Sequence, residues 1–135
     1  MLSPRAALVF GMADLLTAAA VTLGVFVALP ARWWPVDGLA AILAVLQVAA
    51  SVGLLTRANW GERVARAAAT VALAVGLFTV TMLAVTASWL SGVYGPVGAG
   101  GAMILTLVGA LALPYVVVLP VVELVWLRPP PRAGG

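Results

Sequence analysis

The chain has 135 residues, 64% of them hydrophobic and 8% charged, and its seven cationic against four acidic side chains give a net charge of +3. About a quarter of a soluble domain is charged, so this composition, with a mean hydropathy of +1.19, excludes a soluble globular domain. His, Cys and Lys are absent, which excludes disulfides, thiolate nucleophiles, Schiff bases, and haem or zinc held through imidazole or thiolate.

No cofactor, metal site or catalytic residue is therefore expected, and Asp and Glu alone would have to supply any acid–base chemistry. The arginines are scattered along the chain rather than gathered on one face, so no nucleic-acid partner is expected either. Arginine without lysine, beside abundant Ala, Val, Gly and Pro, is the composition of GC-rich coding and points to a bacterium.

The first apolar segment covers about residues 6–29 and ends at Pro30. Only Arg5 precedes it, Asp14 interrupts it, and it exceeds the roughly 7–15 apolar residues of a secretory signal. It is read as a retained helix. Ala7, Gly11, Asp14 and Ala18 form its small-residue stripe. The second segment, about 36–56, aligns Asp37, Ala40, Ala44, Gln47 and Ser51 on one face by their 3-4-3-4 spacing. The third, about 64–90, carries Ala65, Ala69, Ala72, Gly76 and Thr79. Small stripes let helices approach closely in lipid, and Gln47, Ser51 and Thr79 are expected to hydrogen-bond between helices.

Between the third and fourth segments lies the glycine-rich stretch from Gly92 to Gly101. It lacks the Lys and Ser/Thr of a phosphate-binding loop and follows no strand, so a tight helical hairpin is expected. The fourth segment, about 98–127, contains Pro114 and Pro120 and stops at Pro129-Pro130-Pro131. Each internal proline removes an amide donor and crowds the carbonyl four residues back. Kinks at Pro114 and Pro120 are expected, with the carbonyls of Ala110 and Val116 left to find other partners.

Each segment has 20 or more residues, enough for about 30 Å of hydrocarbon, and backbone in lipid must satisfy itself as helix. The expected fold is all-α: an integral membrane four-helix up-down bundle, one transmembrane domain over 1–135 with a C-terminal tail at 128–135. Arg5, Arg57, Arg63, Arg66, Arg128 and Arg132 fall on the side of both termini and only Arg32 on the other. That six-to-one bias gives cytoplasmic N- and C-termini in the inner membrane and argues against dual topology. Trp33, Trp34, Trp60, Trp89 and Trp126 all fall at expected interfaces, as an aromatic belt requires.

Two acids stand inside apolar helix. Asp14 is eight residues past Ala6, about 12 Å deep, and Glu123 is five residues before Arg128, about 7 Å from the same side at ~1.5 Å per residue. A charged side chain at a bilayer centre costs about 2.5–3.5 kcal/mol on insertion scales. Contact between the first and last helices would join the acids in one site, where a shared proton or bound cation relieves their repulsion. Gln47 sits at a compatible depth as a third polar member. Local neutralisation is poor: Arg5 lies half a turn around the helix from Asp14, and Glu62 stands four residues before Arg66, suited to a surface pair.

In size, four spans and an acid at position 14, within Gly11-Met12-Ala13-Asp14-Leu15-Leu16, the chain resembles the small multidrug-resistance transporters, which carry a membrane-embedded glutamate in helix 1. The acid here is aspartate, and that family's third-helix Trp-Ser-Gly motif is replaced by Trp89-Leu90-Ser91-Gly92 at a helix end, so membership is not assigned. Two functions are expected, the first as the main reading and the second as its alternative. One is a non-enzymatic subunit of a homo-oligomeric or larger membrane complex, whose partners are the lipid bilayer and other membrane subunits. The other is a small proton- or cation-coupled transporter or channel using Asp14, Glu123 and Gln47.

Overall fold

Ser3 begins the first helix. Its hydroxyl accepts the Ala6 amide at 3.2 Å, Pro4 takes the first helical position, and α1 then runs Pro4–Leu23. Both are standard helix-start devices, because the cap supplies an acceptor and proline has no amide to leave unpaired. A π-helical turn, Gly24–Ala28, extends α1. Next come α2 (Trp34–Leu55), α3 (Gly61–Leu113), a second π segment (Pro114–Val118) and α4 (Leu119–Trp126). The computed structural model describes residues 2–28 and 33–127, and all regular structure among them is helical. Arg32, Arg128, Arg132, the Pro129–Pro131 run and the rest of the 128–135 tail lie outside the described residues.

Three helical stretches are long and apolar enough to cross a membrane: Pro4–Val27, Trp34–Leu55 and the 66-residue Gly61–Trp126. The third is about three times the ~20 residues that one crossing takes, and it is broken at Gly95, whose φ of 56° and ψ of −134° are not helical. Only glycine adopts that conformation readily. Pro96 follows at once, where a helix start tolerates its missing amide.

The chain divides into two compact units, Met1–Val71 with Val122–Gly135, and Ala72–Val121. In the second unit, Gly98 lies against the Leu90 carbonyl, Gly109 faces the Leu83 side chain, and Gly76 lies against the Val116 carbonyl. As one partner's number rises the other's falls, which marks two antiparallel arms meeting at Gly95. The Val116 carbonyl is one that Pro120 deprives of its amide four residues on. It abuts Gly76 because no side chain stands between, leaving it a Cα–H as its neighbour. At Pro114 the α-helical pattern gives way to π geometry, with the Leu119 amide bonding the Pro114 carbonyl five residues back.

Thr79, expected to bridge helices, instead donates to the Val75 carbonyl of its own helix at 2.8 Å and is exposed. Thr17, Thr22, Thr70, Thr81, Thr86 and Thr106 likewise bond the carbonyl four residues back. This satisfies a hydroxyl without a partner helix. All five tryptophans are exposed, Trp34 the most at 83%.

In the first unit, Phe10, Ala50, Leu54, Ala65, Ala68 and Leu127 form the buried cluster. The turn from α2 to α3 closes as a Schellman motif, Ala58 N–H bonding Gly53 O at 2.9 Å and Arg57 N–H bonding Leu54 O at 3.2 Å. Arg57 holds the positive-φ position at 54°, where glycine is usual. Gly53 and Gly61 touch backbone to backbone beneath this turn.

Candidate functional site: a buried carboxyl pair

The burial of Asp14 follows from helix geometry. On α1 the buried residues are Ala7, Phe10, Gly11, Asp14 and Ala18, spaced to share one face. Gly11 brings α2 close, since a methyl there would lie 2.9 Å from Leu55 Cγ and 3.4 Å from the Ser51 carbonyl. The start of α1 meets the end of α2, where Leu2, Ala7, Leu54 and Arg57 line one cavity, so the helices are antiparallel. One turn onward from Gly11 on α1 is Asp14, and one turn back from Ser51 on α2 is Gln47. Both are buried on the facing stripes at one level.

The buried polar side chains among the described residues are Asp14, Gln47, Ser51 and Glu123, none more than 4% exposed. Glu123 comes from α4 and lies beside Asp14, close enough for the two carboxyls to interact, on the α1–α4 contact where Phe10 meets Trp126. Ionised carboxylates only accept, so a direct bond between the two would require a proton on one of them. Three buried oxygens have no donor: Asp14 Oδ2, Glu123 Oε1 and Gln47 Oε1. The cluster is rich in acceptors and short of hydrogens. Pro114 and Pro120 lie upstream on the same helical stretch as Glu123, at the head of the π segment and in the first turn of α4.

Arg66 is the residue whose place the sequence does not disclose. The spacing from Glu62 suggests a surface pair, yet Arg66 is half-buried and its Nη2 donates to the Leu127 carbonyl at 2.6 Å. It therefore serves the carbonyl end of α4, where a cation complements the helix dipole. Its Nε is buried and unpartnered. Glu62 Oε1 accepts the Leu2 amide at 2.8 Å. The Leu127 amide in turn bonds the Glu123 carbonyl at 2.8 Å, so the guanidinium is anchored one turn from Glu123. The only sequence hint was an arginine one turn deeper in the apolar run than its exposed neighbour Arg63. Phe10 and Trp126 close the same end, with ring centroids 6.2 Å apart and planes tilted by 60°.

Compared with known protein families, curated proteins and solved structures, the chain matches none of them.

Proposed function

We propose that this chain is a small proton- or cation-coupled transporter or channel, working through Asp14 and Glu123 in a four-span up-down bundle with both termini in the cytoplasm. The observation that supports it is the self-contained carboxyl pair. Both acids are buried and lie beside each other within one chain, so each has a polar neighbour without another subunit. A buried polar pair is no better for stability than apolar residues of similar shape, and ionisable residues inside membranes concentrate on ion and proton pathways. Gln47 adds a polar oxygen at the same level, and the proline-marked approach to Glu123 resembles the interrupted helices of transporters. No bond-making chemistry forms part of this reading.

The decisive measurement is pH-gradient-driven proton or tracer flux in liposomes. Wild type conducts, whereas Asp14→Asn and Glu123→Gln lose flux while remaining folded and inserted. Equal flux in all three would overturn the assignment.

A second reading, a non-enzymatic subunit of a homo-oligomeric or larger membrane complex, draws on a different observation. In the second unit a crevice of about 300 Å³ is lined by Ala84, Ala87, Ser88, Ser91, Ala102 and Thr106, the small-residue lining that lets a neighbouring helix approach. Under this reading no variant conducts, and enlarging Ala87 to leucine disperses an assembly that wild type forms in mild detergent.

A further inference from the structure

We infer that the ion held between Asp14 and Glu123 is a single proton, and that Arg66 is the internal cation that takes its place when the proton leaves. The inference rests on the proton- or cation-coupled reading of this site and narrows it to one ion and one exchange partner.

The geometry argues against a metal cation. The two carboxyls lie beside each other, and among the described residues no group of three or more Asp, Glu, His or Cys is placed to hold a metal ion. Among the described residues the other buried polar side chains are Gln47 and Ser51, whereas hard cations such as calcium take about 6–8 oxygens. A proton needs only the two oxygens it bridges. Gln47 Oε1, in a side chain 4% exposed and with no partner of its own, is a third buried acceptor, on α2.

Releasing the proton leaves two negative charges where water is excluded, and an uncompensated buried charge is strongly unfavourable. The charged groups on the elements around the pair are few. α1 offers none beyond Asp14 at this depth, since Arg5 is exposed. On α2, Gln47 is neutral and Asp37 is in the first turn at the far end. The start of α3 offers Glu62, which accepts the Leu2 amide, Arg63, which is exposed, and Arg66. Among the described residues, Arg66 alone combines partial burial, a fixed positive charge and an idle donor, its Nε. Its present acceptor, the Leu127 carbonyl, is four residues beyond Glu123, a rise of about 6 Å. Rotation of the arginine stem carries the guanidinium from that carbonyl to the Glu123 carboxylate. The backbone carbonyl at the helix end then returns to water or headgroups, and no covalent bond changes.

Dicyclohexylcarbodiimide tests this on the full chain in liposomes, because it adds across protonated carboxyls in apolar surroundings and leaves a mass tag. Wild type is tagged at Asp14 or Glu123 at acidic and neutral pH, the tagging declines in alkali, and 100-fold changes in sodium at fixed pH leave it unaltered. R66Q stays tagged at alkaline pH where wild type is not, R66K follows wild type, and R63Q, which removes the same charge from an exposed neighbour, also follows wild type. Protection by sodium overturns the proton. A profile in R66Q that matches wild type, or one in R63Q that matches R66Q, overturns the role of Arg66. If R66Q does not fold, the guanidinium nitrogen resonances of Arg66 in the wild-type protein decide: they shift at the pH where tagging declines, and their constancy rejects the exchange. Tagging as described without liposome flux would reject transport and leave the proton site standing.

Discussion

Replacing the carboxyl pair with apolar side chains separates a hydrogen-bonded pair from two acids that merely lie buried. Leucine has the branched outline of aspartate and methionine roughly the length of glutamate, so Asp14→Leu and Glu123→Met change polarity more than shape. Each single substitution strands the remaining carboxyl. With Asp14 and Glu123 only 4% and 3% exposed, water cannot replace the lost partner, and a stranded buried polar group costs about 1–3 kcal/mol. The double substitution strands neither, and exchanging a buried polar pair for packed apolar groups is often neutral or stabilising. The double variant should therefore fall short of the sum of the singles by about 1–2 kcal/mol, near the upper end for polar pairs in lipid. Reversible unfolding of all four proteins in bicelles supplies the cycle. Additivity to within about 0.5 kcal/mol, the ordinary margin for uncoupled sites, would show that the two carboxyls do not depend on each other.

Gly76→Ala should destabilise the second unit by about 1–3 kcal/mol in the same assay, because the new methyl would run into the Val116 carbonyl and overpacking costs that much. Arg57→Gly should stabilise by about 1 kcal/mol in thermal melts, since a side chain at φ 54° carries a steric penalty that glycine escapes. No change there would mean that the turn relaxes without strain. The absence of cysteine makes topology easy to read: single cysteines at Ser3 and Asn59 should react with an impermeant maleimide from the cytoplasmic side only, and one at Val97 from the other side only. Labelling of Asn59 and Val97 from the same side would remove the hairpin from the membrane.

The acids, the apolar stretches and the glycine-rich break are properties of local sequence. Helix rise gave the expectation that Asp14 and Glu123 lie at similar depths, and the 3-4 spacing on α2 put Gln47 on the face that is buried. The turn at Gly95 falls inside the Gly92–Gly101 stretch because a conformation closed to other residues needs glycine. Small stripes were a weaker guide: on the third segment the pattern continues to Thr79, yet Thr79 is exposed and bonds its own helix, because a hydroxyl can satisfy itself four residues back.

By itself, then, the sequence determined which parts are helical and apolar, where the polar exceptions sit along each helix, and where the long third stretch breaks. The direction in which Glu123 points depended on tertiary structure. Nothing in the spacing of the fourth segment says which of its faces is covered; packing against α1, where Phe10 meets Trp126, leaves Glu123 only 3% exposed. The role of Arg66 was hidden for a related reason. Its acceptor is the Leu127 carbonyl, 61 residues away, and a backbone oxygen leaves no mark in the sequence. Local sequence marked two acids inside apolar helix, and the packing of α1, α2, the start of α3 and α4 buried them side by side.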